Sequence, residues 1–230
     1  MNDTLIAAFL LSAVLLGIHS FFGIEIIKRG IIFTDLAIGQ MSALGAAVSI
    51  IWFNGEYVYP TSLGFALLAG FIISFASRRT DKLEAFIGLL YSFSISAVII
   101  ILSNVPHGNE TIKKLLASDI LYTPPSEIIK VTIIYSILGA LIFFVWRRLT
   151  GFIKDIFFFV VFAATVTSSV KVAGVLIVFA LLVSPALIAL RFKKGNTIIL
   201  AWIIGLLVNT IAILISFKAD LPTGYTIVFA

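Results

Sequence analysis

The 230-residue chain is 61% hydrophobic and only 12% charged, with a mean hydropathy of +1.18; soluble domains carry about one quarter charged residues, so a water-soluble globule is excluded. A transmembrane β-barrel is excluded as well, because its strands alternate in polarity over about ten residues, whereas these apolar runs are near-continuous for about twenty, the length of a helix across a bilayer. The net charge of +5 lies between the apolar runs and forms no long basic tract, which points to membrane topology rather than nucleic acid, and the lack of cysteine removes disulfides and thiolate metal ligands.

The pattern predicts an all-α fold: a polytopic transmembrane helical bundle forming one domain over residues 1–230, with about eight membrane segments, some broken or kinked. The segments fall at about 4–27, 31–53, 60–77, 84–105, 127–146, 155–170, 172–190 and 196–217. The amino terminus, MNDTLIAAFLLSAVLL, has no basic region before its apolar run and no convincing small-residue cleavage site, so the first helix is expected to stay.

The first segment contains His19. At about 1.5 Å of rise per residue it lies roughly 13 Å from Lys28, near the middle of a core about 30 Å thick. Two readings stand side by side: a place in a translocation path, or a neutral imidazole bonded to helix backbone or to Ser20.

The next stretch, KRGIIFTDLAIGQMSALGAA from Lys28 to Ala47, sets an acid, an amide and many small residues inside a run otherwise fit for lipid. An aspartate near the centre of a membrane helix costs about 2.5 to 3.5 kcal/mol on the insertion scale. Asp35 is therefore expected to face protein or a wet cavity. Ala37, Gly39, Ser42, Ala43, Gly45, Ala46 and Ala47 let neighbouring backbones approach closely, which predicts an interior helix. Gln40, about 16 Å from Arg29 along that helix, is expected at a depth similar to that of His19.

The fourth segment begins LEAFIGLLYS, with Glu84 where a carboxylate suits the positive end of its own helix dipole. Pro106, Gly108, Pro124 and Pro125 then bracket a short amphipathic helix, IKKLLASDIL. His107, Glu110 and Asp119 are candidate external metal contacts there, but they lack the close, repeated spacing of a dedicated site, and a solvated loop is the preferred reading.

Further on, the polar run Thr165, Thr167, Ser168, Ser169 and Lys171 cuts an overlong apolar stretch, which predicts a hairpin or a broken helix turning at Ser168 to Lys171. Ser184 and Pro185 interrupt the seventh segment as gating or kink residues, because a proline frees a backbone carbonyl that a neighbour or water must satisfy. The tail DLPTGYTIVFA is too short to span and is expected to pack on the outer face.

Orientation follows from charge. Lys28 and Arg29, then Arg78, Arg79 and Lys82, then Arg147, Arg148 and Lys154, then Arg191, Lys193 and Lys194 occupy alternate connections and make up most of the sixteen basic residues. That excess marks the cytoplasmic side, which puts both termini outside. No GxxxxGK[ST] phosphate loop, HExxH or GxSxG occurs in the sequence.

Five stretches together carry a family resemblance: KRGIIFTDLA, LEAFIGLLYS, LLASDIL, VKVAGVLIVFALLVSPALIA and DLPTGYTIV. They make the chain resemble the membrane-spanning permease subunits of ATP-binding-cassette importers for zinc, manganese and iron. The most specific is the fourth, in which the apolar core GVLIV is followed at fixed spacing by proline and alanine. The resemblance implies a homodimer around one central path in the inner cell membrane of a prokaryote, a separate cytoplasmic ATPase, and an extracytoplasmic binding protein that delivers the metal. It implies no permanently bound cofactor; the divalent metal ion is the transported substrate.

Carried over residue by residue, Asp35 matches the family aspartate associated with metal passage. The family commonly has histidine four residues later; this chain has Gly39 there and Gln40 at five. Five residues rotate about 140° from the starting face, so the usual carboxylate and imidazole pair is absent or rebuilt with His19. Carboxylate and amide suit harder ions than zinc. The connection RRLTGFIKD is also shorter than the family stretch that helps dock the ATPase. The competing reading is a stand-alone ion-coupled secondary transporter or channel in which Asp35 and His19 couple to protons; a membrane enzyme is a third class, disfavoured by the lack of clustered catalytic side chains.

Overall fold

A computed structural model describes residues 2–80, 82–103, 105–116, 120, 123–192 and 195–230, with the side chains of residues 2 and 3 left aside. Asp119, Lys193 and Lys194, named above, lie outside the described residues. The elements are α1 (Asn2–Arg29), α2 (Thr34–Trp52), α3 (Val58–Ala76), α4 (Leu83–Leu102), α5 (Gly108–Leu116), α6 (Pro125–Val145), α7 (Gly151–Ala173), α8 (Val175–Leu190), α9 (Thr197–Ala219) and α10 (Thr223–Phe229). Among the described residues, seven helices are long and apolar enough to cross a membrane, namely α1 to α4, α6, α7 and α9. The eighth expected segment is the shorter apolar helix α8, of 16 residues, about 24 Å long.

The chain divides into two compact units, one of Met1–Ile32, Leu116–Ile137 and Val172–Ala230, the other of Phe33–Leu115 and Leu138–Lys171. In the first, α1 packs against α8 and α9, and α10 covers α8 and α9. Its inner layer is made of small and branched residues, with Ile24 of α1 against Ala186 and Ala189 of α8 and Ala201 of α9. The absence of a side chain at Gly205 of α9 leaves room for Leu16 and Pro185. Two polar bonds tie α1 to α9: Asn209 Nδ2 donates to Ser12 Oγ at 2.6 Å, and Trp202 Nε1 donates to the Ala13 carbonyl at 3.0 Å. In hydrocarbon such bonds average only about 0.6 kcal/mol, so they set register more than stability. The tail folds into α10, with Ser216 Oγ donating to the Leu221 carbonyl at 2.7 Å and lying 2.7 Å from Thr223 Oγ1.

In the second unit α2 packs against α3 and α4. The small residues of α2 permit this: a Cβ added at Gly45 would lie 2.5 Å from the Thr61 carbonyl oxygen and 2.7 Å from Ser62 Cα. Burial separates interior from peripheral helices, with 78% of the α2 span buried against 11% of α6. The interior placement expected of the Lys28 to Ala47 stretch is therefore observed.

The polar run is a correction. Thr165, Thr167, Ser168 and Ser169 lie inside α7, which continues to Ala173, so the turn expected at Ser168 to Lys171 is not there. Their hydroxyls donate back to carbonyls of their own helix, Thr165 to Val161 at 2.8 Å, Thr167 to Ala163 at 2.8 Å and Ser169 to Thr165 at 2.7 Å. The break between α7 and α8 falls instead at Gly174, with φ 86° and ψ 161°, a backbone region open essentially to glycine alone.

A buried carboxylate at the first turn of the second helix

Helix α2 begins after Gly30, at Thr34, with Phe33 as its cap residue. Phenylalanine has no side-chain acceptor for the unpaired amides of a first turn. Glu84 supplies one from elsewhere: its Oε1 accepts the Phe33 N–H at 3.1 Å. Glu84 stands in the first turn of α4, which has no side-chain cap hydrogen bond, so the carboxylate expected to cap its own helix bonds the start of the neighbouring one instead, which charge spacing along one helix does not reveal.

Asp35 is the second residue of α2, which corrects the expectation of a mid-helix acid. The physical reason is the helix start itself: a carboxylate is favoured beside the positive end of a helix dipole, and a threonine followed by an aspartate after a glycine is a start signal. The side chain is nonetheless 1% exposed. Among the described residues neither of its carboxylate oxygens has a hydrogen-bond partner, and the same holds for Thr34 Oγ1, Glu84 Oε2 and Gln40 Nε2. Buried polar groups are paired in the great majority of cases, so a concentration of unpaired atoms along the start of α2 and α4 marks a place built to meet something else.

His19 belongs to the first unit and Asp35 and Gln40 to the second. His19 is fully buried, its Nδ1 donates to the Leu15 carbonyl at 2.7 Å, and its ring lies 6.1 Å from that of Tyr135. Such a backbone bond is compatible with both readings set out for it above. Pro185 is buried while Ser184, beside it, is exposed; α8 runs on through the proline to Leu190. His107 Nδ1 and Glu110 Oε2, the latter in the first turn of α5, are 3.7 Å apart and largely exposed. Among the described residues no three of His, Cys, Asp and Glu gather as a metal-holding group. Thr34 was not singled out from sequence, although its place just before Asp35 at a helix start was the available signal.

At the same end of the second unit's helices, in the connections after α3 and before α7, basic residues rest on aromatic rings. Arg78, after α3, lies 4.1 Å over Phe152 at the start of α7, and Lys154 lies 4.4 Å over Trp146, after α6. Cation and π contacts of this kind hold the connections after α3 and before α7 at one level.

Three comparisons bear on this arrangement. The family model described as "ABC 3 transport family" matches residues 1–230. A Haemophilus influenzae protein described as "probable iron transport system membrane protein" is 25% identical over 248 residues, covering 98% of this chain and 86% of the relative. A Chlamydia trachomatis protein described as "probable metal transport system membrane protein" is 23% identical, covering 80% of this chain and 70% of the relative. Among solved structures, PsaBC from Streptococcus pneumoniae in complex with Fab is similar in fold, with a TM-score of 0.76 and 20% identity over 99% of this chain and 86% of that one.

Proposed function

The chain belongs to the ABC 3 transport family, and from that membership we propose that it is the membrane-spanning permease of an importer for a divalent metal ion, zinc, manganese or iron. Two copies surround one translocation path, a separate cytoplasmic ATPase supplies the energy, and an extracytoplasmic binding protein delivers the ion. The bacterial relatives, described as iron and metal transport system membrane proteins, support the substrate class. The observation that carries the reading is Asp35, a carboxylate 1% exposed whose oxygens are unpaired among the described residues. An uncompensated buried charge is expensive, and intramembrane acids mark ion pathways.

The permease makes and breaks no covalent bond. ATP binding and hydrolysis on the partner shift it between gate states, and Asp35, with Gln40 and His19, meets the ion on its way. Ser184 and Pro185 act in gating, and the basic connections face the cytoplasm of a prokaryotic cell, with both termini outside. The pairing of Arg78 with Phe152 supports this, since it sets two of those basic connections at one level.

The test is uptake into liposomes holding the chain with its ATPase and binding protein, across a panel of zinc, manganese and iron(II). Uptake of at least one ion that requires ATP is expected. Proton-driven uptake by the chain alone, indifferent to ATP, overturns the reading in favour of a secondary transporter.

A further inference from the structure

We propose that Glu84 and Thr34 belong with Asp35 to one oxygen-only cation site at the joined first turns of α2 and α4, selective for harder divalent ions. The inference rests on the importer reading and adds two ligands to it.

The geometry starts from the Phe33 N–H, held by Glu84 Oε1 at 3.1 Å. That bond fixes the Glu84 carboxylate beside the residue that precedes Thr34 and Asp35 in the chain. One carboxylate oxygen of Glu84 is thus used in capping, and the other, Oε2, is buried with no partner among the described residues. Thr34 Oγ1 and both Asp35 oxygens are in the same condition, in side chains 0% and 1% exposed. Of the buried side-chain atoms without partners among the described residues, these four oxygens fall on two adjoining helix starts.

A pure capping role leaves those four atoms unexplained. Capping satisfies the Phe33 amide with one oxygen and gains nothing from burying three further acceptors and a hydroxyl unpaired, since each such group costs about 1 to 3 kcal/mol. Burial without a partner penalises a carboxylate's charge, and two such carboxylates together match the charge of one divalent ion. Coulomb attraction is strong where water is excluded, so the ion, once dehydrated, finds its charge balanced. Carboxylate and hydroxyl oxygens suit manganese or magnesium better than imidazole-seeking zinc. A set of two acids and one hydroxyl is also incomplete as a permanent cage, as passage requires, because an ion bound for transport must leave again.

The experiment uses the full-length chain in lipid nanodiscs titrated with Mn2+ alone, following loss of the free-ion electron paramagnetic resonance signal. The parent is expected to take up Mn2+. Asp35→Asn and Glu84→Gln remove charge from the ligands themselves, and since even the outer-shell partners of metal ligands are worth about 10- to 100-fold in affinity, each is expected to weaken binding by at least about tenfold. Glu84→Gln keeps an acceptor for the Phe33 amide, so its thermal unfolding is expected to match the parent. Parent-like Mn2+ affinity in Glu84→Gln overturns the proposal and leaves Glu84 a clasp; so does failure of the parent to bind Mn2+. Either result leaves ATP-driven uptake intact as a separate measurement. Conversely, loss of ATP-driven uptake with Mn2+ binding still sensitive to Glu84→Gln sinks the importer reading and keeps the site.

Discussion

At Asp35 the physics of a single side chain governs everything nearby. Asparagine keeps its size and much of its hydrogen bonding but removes the charge, and a loss of about 1.4 kcal/mol already lowers affinity tenfold. Asp35→Asn is therefore expected to reduce ATP-driven metal uptake by about tenfold or more, measured at matched protein level. The level itself is expected to hold, because an amide is cheaper than a carboxylate to place in a membrane helix. Normal uptake would make Asp35 a packing residue. Gln40→His is the companion: it adds imidazole to the buried α2 surface and is expected to shift competition uptake towards zinc. Gly45 is legible in both sequence and structure, since a Cβ there meets the Thr61 carbonyl oxygen at 2.5 Å. Gly45→Ala is expected to cost about 1 to 3 kcal/mol by overpacking, read as a lower midpoint in thermal unfolding. Asp35 stood out in the sequence because an acid among apolar residues is costly anywhere in a bilayer. Its neighbour Glu84 did not, because a hydrogen bond across 51 positions leaves no periodic trace.

The same contrast holds for whole elements. Seven of the expected segments are observed as long apolar helices, since length and continuous hydrophobicity decide such spans. The sixth and seventh were divided in the wrong place. Hydroxyls look like punctuation in a sequence, yet in α7 they are satisfied by carbonyls one turn back, so a serine and threonine run does not end a membrane helix. Gly174 does, because its φ of 86° and ψ of 161° exclude other residues. Gly174→Ala is expected to destabilise the chain by about 1 to 3 kcal/mol, whereas Ser168→Ala, within α7, is expected to leave the unfolding midpoint nearly unchanged. Equal effects of the two would return the break to the polar run.

For the molecule as a whole, orientation is the property most directly testable in a chain without cysteine. Ser77, after α3, and Glu56, between α2 and α3, are both exposed. In intact cells an impermeant thiol reagent is expected to label Glu56→Cys and to spare Ser77→Cys. The opposite pattern inverts the topology, and with it the side on which an ATPase can act. The basic connections offer a further handle. The three tryptophans report different regions: Trp52 is 64% exposed, Trp202 is bonded to the α1 backbone, and Trp146 carries the Lys154 ammonium over its ring at 4.4 Å. A charge held against an indole face shifts its emission, so Trp146 is a built-in optical gauge of the connection before α7. Docking of an ATPase that draws Lys154 away is expected to change the fluorescence of a variant retaining only Trp146 and to leave one retaining only Trp202 unchanged, which turns assembly into a signal that needs no added dye.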